Sequence, residues 1–251
     1  MTEALYDRIA RLYDPWSASV TEDVGFYVEE ARASGGPVVE LAVGTGRIAV
    51  PVARAGIRVI GVDESPGMLE VARAYAEREG VSSLVDLRLG DLRDPPVDER
   101  VPLVTIPFRS LLHMPDDDQK RRALTAAAGL LQPGGRLVFD VFSPSAADIE
   151  ETDGLWLERE QGIFERADWD ERSRTLVLSV RDREHSARME LHWLSAPEWN
   201  VLVEAAGLEV EALYGWFDRR SWSEGEDQIW VCRTRSTRSP TRTVPGASTS
   251  A

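Results

Sequence analysis

Val38-Val-Glu-Leu-Ala-Val-Gly44-Thr-Gly46-Arg-Ile-Ala49, with Arg58-Val-Ile-Gly-Val62-Asp63 close behind it, is the stretch on which the fold turns. A short apolar run ends in a glycine-rich turn, helical spacing follows from Arg47 to Ala55, and a second apolar run ends in an acid. Apolar runs of this length suit strands buried on both faces, and the turn between them suits the first half of a parallel strand–helix–strand unit. Glycines let the backbone approach a ligand and accept positive φ, and the N-terminus of the following helix presents free N–H groups.

Working outward, the same rhythm repeats. Ser65-Pro66 is a cap followed by a first-position proline, opening a helix that runs to about Glu79. Val85–Leu89 and Leu103–Ile106 read as a third and a fourth strand, and Gly134-Gly135 turns into a fifth, Arg136–Phe142. Between them Asp116 to Leu131 has helical spacing, and its three leading acids suit the helix dipole better than a metal, for which no ligand set is read. Such alternation predicts an α/β, doubly wound, mostly parallel sheet with helices on both faces. Upstream, Ser19-Val-Thr-Glu22 is a capping-box pattern, and Val20, Val24, Tyr27, Val28 and Ala31 share one face of the helix after it.

After Pro144 the rhythm changes. Ile163–Trp169 and Thr175–Arg181 flank a turn at Asp170-Glu-Arg-Ser173, and Ala187–Leu194 alternates. A second capping box, Ser195-Ala-Pro-Glu198, opens a helix ending at Gly207, and Leu208–Trp216 and Gln228–Cys232 read as closing strands. An antiparallel patch is therefore inserted between the fifth strand and the last helix.

The 251 residues carry 29 basic and 43 acidic side chains, a net charge of −14. That balance disfavours a nucleic-acid backbone as partner and leaves small molecules, cationic ligands or proteins. No apolar run is long enough for a membrane helix, and the first 25 residues lack a signal-peptide pattern. A single cysteine, Cys232, fits a reducing cytoplasm. The tail from residue 235 is rich in Ser, Thr, Pro and Arg with almost nothing apolar to bury, and is expected to be disordered.

The Gly44-Thr-Gly46-Arg-Ile-Ala49 pattern with Asp63 fits a dinucleotide fingerprint formally, so a nicotinamide cofactor has to be weighed. Glu40 argues against it. A carboxylate four residues before the glycines repels a pyrophosphate but attracts an ammonium and a sulfonium. Asp91, just past the third strand, can accept from an adenine amino group. Three carboxylates at the ends of three successive strands suit a positively charged nucleotide-like ligand, S-adenosylmethionine.

The runs VVELAVGTGRIAVPVARAGIRVIGVDESPGMLEVAR (38–73), LGDLRD (89–94), PFRSLLH (107–113) and LLQPGGRLVFDVFSP (130–144) together resemble the class I S-adenosylmethionine-dependent methyltransferases, in particular the small-molecule branch that includes glycine and amino-sugar N-methyltransferases. The resemblance covers residues 6 to about 232. It implies a Rossmann-like seven-stranded sheet with its last strand antiparallel. It also implies a helical lid at 1–34, a cofactor-binding core at 35–145, an antiparallel β insert over the substrate at 146–195, completion of the core at 196–234, and a tail at 235–251.

On this resemblance Glu40, Ala42, Gly44 and Gly46 face the methionine moiety, and Asp63 takes the ribose hydroxyls. Glu64 and Met68 flank adenosine, Asp91 and Leu92 address the adenine, and Pro107 adjoins the cofactor. Tyr13 matches a lid tyrosine with cofactor and catalytic contacts, and His113 matches a histidine that faces the substrate and serves as a general base. Trp16, Arg109, Trp156, Trp216 and Phe217 are candidates for the substrate pocket. Ala42 departs from a position where many members have glycine.

The implied activity is methyl transfer from S-adenosylmethionine to nitrogen or oxygen of a small molecule, leaving S-adenosylhomocysteine, by a cytoplasmic monomer or homodimer. The alternative is a protein of the same fold that binds S-adenosylmethionine and performs another reaction, such as a cyclisation. His192, on the same strand face as Arg188 and Glu190, is expected to face solvent.

Overall fold

The computed structural model describes residues 10–17, 19–223 and 227–235, so the first nine residues of the expected lid and the expected tail beyond Arg235 lie outside the described residues. Two helices come first, α1 (Ala10–Trp16) and α2 (Glu22–Ser34). They are followed by β1 (Val38–Leu41), α3 (Ala49–Arg54), β2 (Val59–Asp63), α4 (Pro66–Arg78), β3 (Val85–Leu89), β4 (Val101–Ile106), α5 (Asp117–Gly129) and β5 (Leu131–Phe142). The chain then builds α6 (Ala146–Thr152) and four strands, β6 (Trp156–Glu160), β7 (Ile163–Asp170), β8 (Thr175–Arg181) and β9 (Ser186–His192). It closes with α7 (Ala196–Ala205), β10 (Leu208–Tyr214) and β11 (Asp227–Thr234).

Seven strands form one sheet in the order β3-β2-β1-β4-β5-β11-β10. The pairs β1–β2, β2–β3, β1–β4 and β4–β5 are parallel, and β11 runs antiparallel to both β5 and β10. The strand order reverses between β1 and β4, which opens a crevice beyond their carboxyl ends where ligands bind in such sheets. The turns after β1 and β4 both empty into that crevice.

Successive side chains split between the two faces of the sheet. Val38, Val59, Leu103, Val138 and Ile229 pack with Phe26, Tyr27 and Ala31 of α2 and with Ala49 and Val52 of α3. Their sequence neighbours Val39, Ile60, Val104, Phe139 and Trp230 pack on the opposite side with α5 and α7. Trp230 sits directly across from Phe139 in the β5–β11 register, with rings stacked at 5.9 Å, and Trp199 of α7 closes on Phe139 at 5.7 Å. These rings anchor the antiparallel edge to the parallel strands.

The helix caps follow the sequence in most places. Ser65 accepts from the Met68 amide, Asp116 accepts from Gln119, and Ser195 with Glu198 forms the expected capping box. α2 differs. Its N-cap is Thr21, and no Ser19–Glu22 box forms. Its buried residues are Asp23, Phe26, Tyr27, Glu30 and Ala31: Tyr27 and Ala31 belong to the expected face, Val24 and Val28 are only half-buried against the same core, and the two acids were not expected there. Two acids can be buried there because each meets arginine: Asp23 pairs with Arg47 at 2.6 Å, and Glu30 with Arg136 at 2.8 Å and with Arg219. The expected lid therefore divides, with α2 packed into the sheet and α1 alone reaching across the crevice.

The insert is a separate antiparallel sheet in the order β6-β7-β8-β9. Leu176, Leu178, Val180, Met189 and Leu191 alternate onto its inner face and join the core on the α5 side. No described helix is long and apolar enough to cross a membrane.

Candidate functional site

The turn after β1 is held in left-handed backbone. Ala42, Gly44 and Gly46 have φ of 57°, 55° and 81°. Glycine accepts this freely, whereas an alanine there costs on the order of 1–3 kcal/mol and persists only where its surroundings impose it. Three contacts tie down the turn and the strand end beside it. The Gly44 amide donates to Asp63 Oδ2 at 2.8 Å, the Ser65 amide donates to Asp63 Oδ1 at 2.9 Å, and the Thr45 hydroxyl donates to Asp14 of α1 at 2.6 Å. The last contact docks α1 on the turn and brings Tyr13 over it.

A cleft opens beyond β1, β2 and β3. It is lined by Tyr13, Ala42, Gly44, Val62, Asp63, Glu64, Met68, Asp91, Leu92, Phe108, His113 and Met114, among others. Nine of the residues expected from the sequence to meet the cofactor or act on it thus come together. Asp91 is held by Arg93, whose Nε lies 2.9 Å from both carboxylate oxygens, and this bond keeps the acid below the usual carboxylate range. Gly90 beside it has no room for a side chain, since a Cβ would stand 2.4 Å from Pro96.

Glu40, Gly46 and Pro107 do not line the cleft. Gly46 supports the turn from behind, packed close to Val50 and Ala72. Pro107 offers its carbonyl to the Ser110 hydroxyl at 2.6 Å. Glu40 is 1% exposed, and burial pushes its carboxyl up to about 8 against the pull of Arg47. It stands beneath the turn as a largely protonated acid with Oε2 unpartnered, not as the ionised carboxylate its sequence position suggests.

The sequence reading missed Arg47 and Phe108. Arg47 grips Asp23 with both terminal nitrogens at 2.8 and 2.6 Å, donates to the Val20 carbonyl at 3.1 Å, and lies 4.5 Å over the Phe108 ring. Phe108 also meets the edge of Tyr13 at 5.9 Å. The position of Arg47 directly after Gly46 was the available signal.

A second cavity of about 530 Å³ lies between the two sheets and shares Phe108 and His113 with the first. Trp16, Arg109, Trp216 and Phe217 line it as expected, and Trp16 Nε1 donates to Glu165 of β7 at 2.9 Å. Trp156 does not. β6 is the outer edge of the insert, and Trp156 lies on its outside, 37% exposed beneath the Arg181 guanidinium at 4.0 Å.

The floor of this cavity is Asp140, at the carboxyl end of β5, another residue the sequence reading passed over. Its Oδ1 accepts from the Tyr27 hydroxyl at 2.6 Å and the Phe108 amide at 2.8 Å, and its Oδ2 accepts from the Arg109 amide at 3.0 Å. Phe108 and Arg109 both sit at positive φ, 58° and 61°, and the carboxylate holds the two strained residues in place. Burial raises the Asp140 carboxyl to about 6 while the Tyr27 hydrogen bond opposes the rise.

His113 ends a single 3-10 turn, Ser110–His113, and faces both cavities. Burial lowers its pKa to about 4, with a smaller push from His192. The imidazole is therefore neutral at pH 7. His192 is not the solvent-facing residue expected from strand parity: its side chain is 20% exposed and its Nδ1 lies 3.2 Å from the Thr175 hydroxyl. The end of β9 packs against the 3-10 turn, which covers that face.

Residues 38–135 match the methyltransferase domain family. The structure resembles that of the CcbJ methyltransferase from Streptomyces caelestis, with a TM-score of 0.82 and 26% identity over 93% of this chain and 99% of that one. The cypemycin N-terminal methyltransferase of a Streptomyces species is 26% identical over 84% of this chain and 90% of its own length. The demethylmenaquinone methyltransferase of Clavibacter sepedonicus is 32% identical over 56% of this chain and 57% of its own length. The chain spans under two thirds of that protein and of a Geobacillus methyltransferase, of which it covers 59%.

Proposed function

We propose, from the match of residues 38–135 to the methyltransferase domain family and the likeness to the CcbJ and cypemycin methyltransferases, that this chain is a class I S-adenosylmethionine-dependent methyltransferase that transfers a methyl group from S-adenosylmethionine to a nitrogen or oxygen of a small molecule, in natural-product metabolism. One observation carries the reading. A cleft walled by two carboxylates at the ends of adjacent strands meets a larger cavity at a shared wall, Phe108 and His113. Two ligand sites that touch at two side chains suit the passage of a group between ligands.

The cleft residues fit the donor. Asp63 and Asp91 offer acceptor oxygens for ribose hydroxyls and an exocyclic amine, and Val62, Met68, Leu92 and Met114 offer apolar walls for a purine. Glu40, with its unpartnered Oε2 beneath the turn, is placed to ionise when a cationic ligand arrives. S-adenosylmethionine, when bound, supplies a methyl carbon made electrophilic by its sulfonium. The remaining work falls to the chain.

Tyr13 and Phe108 exclude water where the cavities meet and fix the line of approach, and such positioning supplies most of the rate in a displacement of this kind. Neutral His113 carries one acceptor nitrogen, which takes the proton leaving the acceptor's N–H or O–H. The acceptor itself binds in the larger cavity, against Trp16, Arg109, Trp216 and Phe217.

Titration calorimetry tests the donor assignment. The protein is expected to bind S-adenosylmethionine and S-adenosylhomocysteine and not NADH. Asp63→Ala should weaken both of the former about 10- to 100-fold, since hydrogen bonds to a charged group contribute about 1.5–3 kcal/mol. Unchanged affinity in a folded Asp63→Ala protein, or micromolar NADH binding, would overturn it.

A further inference from the structure

From the walls of the larger cavity we infer that the methyl acceptor is an organic amine with an aromatic or alicyclic body, its cationic nitrogen anchored on Asp140. The inference rests on the methyl-transfer reading above and names the acceptor's chemistry.

Six carboxylates line this cavity, Glu22, Asp23, Asp140, Asp148, Glu165 and Asp227, against two guanidiniums, Arg109 and Arg159. Both guanidiniums are already committed. Arg109 pairs with Asp227 at 2.9 Å, and Arg159 stands 3.8 Å from Glu165. Asp23 is satisfied from behind by Arg47. Glu22, Asp140 and Asp148 are in none of the ion pairs of the described residues, and although the Arg109 and Arg47 charges act on Asp140 from further off, six acids against three guanidiniums leave the cavity an excess of negative charge. An anion would be repelled, and a neutral ligand would leave that charge uncompensated.

Asp140 singles itself out among the three. Glu22 and Asp148 stand at helix starts, where each accepts from a neighbouring backbone amide. Asp140 is 6% exposed and sits at the cavity floor next to the wall shared with the donor cleft. A carboxylate has about four acceptor positions. The three hydrogen bonds to Asp140 occupy both positions on Oδ1 and one on Oδ2. One position on Oδ2 is left for a donor from the ligand, and a charged N–H donor makes the stronger bond.

The remaining walls suit a cation with a flat body. Phe142 and Phe108 already each carry a guanidinium over the ring, at 4.7 and 4.5 Å, so the electrostatics of this wall favour positive charge. Trp16, Trp169 and Trp216 supply broad faces for the rest of the molecule.

The test uses the full chain, with and without saturating S-adenosylhomocysteine, and matched probes on one body: phenethylamine, 2-phenylethanol and 3-phenylpropionate. Ligand-observed NMR and calorimetry should show the amine binding at least about tenfold more tightly than the alcohol, one charge-assisted hydrogen bond, and no binding of the carboxylate. Asp140→Asn and Glu165→Gln should each shrink the amine's advantage and leave the alcohol unaffected. Glu165→Gln keeps an acceptor for Trp16 and carries the test alone if Asp140→Asn does not fold. Equal binding of amine and alcohol, preference for the carboxylate, no amine binding at millimolar concentration, or an advantage untouched by the variants would overturn the inference. Absence of S-adenosylhomocysteine binding would instead overturn the methyl-transfer reading, because the probe comparison without it is read independently.

Discussion

His113→Gln should remove a defined part of the protein's acid sensitivity. Burial holds His113 at about 4, while in the unfolded chain it titrates near its ordinary 6.5. Between these values the unfolded state binds the proton and the folded state does not, so stability falls as the pH drops from 6.5 towards 4. At 1.36 kcal/mol per pH unit the whole transition is worth about 3 kcal/mol, and about 2 kcal/mol of it falls between pH 7 and pH 5. Glu40 and Asp140, with carboxyls raised by burial to about 8 and about 6, act in the opposite direction over the same range. Both remain in the variant, so they cancel in the difference. Urea denaturation of both proteins at pH 7 and pH 5 measures it: the wild type should lose about 2 kcal/mol more than His113→Gln on acidification. Parallel losses would refute the buried neutral imidazole. In turnover the same substitution should lower kcat by about 10²- to 10⁴-fold if the histidine is the base. The acidic limb of the wild-type profile that reports it should fall near 4, well below the usual histidine range.

Ala42→Gly relieves a left-handed alanine at φ 57° and should raise stability by about 1 kcal/mol, read as a shift in urea midpoint; a loss would show that the methyl packs favourably. Tyr27→Phe removes the 2.6 Å hydrogen bond to Asp140 and should cost about 1.5–3 kcal/mol. Because that bond lowers the Asp140 carboxyl, the substitution should also move its titration upward from about 6, as followed by carbon NMR. Tyr13→Phe keeps the ring against Trp16 and Phe108 and should reduce S-adenosylmethionine affinity by no more than about tenfold, one neutral hydrogen bond; a larger loss would give the hydroxyl a role beyond contact.

The parallel sheet was legible because its signals are local. Val38–Leu41, Val59–Asp63 and Val101–Ile106 are buried runs punctuated by glycine, proline and capping residues. The insert was legible only where one face is buried, as in Thr175–Arg181, whose exposure alternates. Trp156–Glu160 is exposed along most of its length, so no period of two marks it, and it escaped notice. α6 had a signal that went unread, the Ser145–Asp148 capping box. The cleft follows strand ends, and although Phe108 could not be read from the sequence and Glu40, Gly46 and Pro107 lie outside it, nine of its lining residues could. The larger cavity could not. Asp140 reads as one polar residue in an apolar strand, and its partners Tyr27, Phe108 and Arg109 stand 31 to 113 positions away. Asp23 and Glu30 read as the solvent side of α2 until the arginines that neutralise them are brought in by other elements.

The insert leaves the main sheet at Phe142 and the chain returns to α7 past Trp193, and these two residues are bridged by a single ring: Trp169 meets Phe142 at 6.1 Å and Trp193 at 5.5 Å. The outgoing and incoming chain are thus stapled at one seam, so residues 146–192 form a cassette whose ends meet. Nothing in the donor cleft is drawn from it. On the proposed function, the insert's share of the acceptor wall can then diversify, by substitution or wholesale exchange, while the cleft stays as it is. A chimera carrying a relative's cassette on this seam should keep its affinity for S-adenosylhomocysteine and shift the acceptor range only through the insert's own lining residues, such as Leu157, Glu165, Trp169 and Met189, because Trp16, Arg109, Asp140, Trp216 and Phe217 stay with the rest of the chain. Loss of that affinity would mean that the two halves of the molecule have not evolved as separable parts.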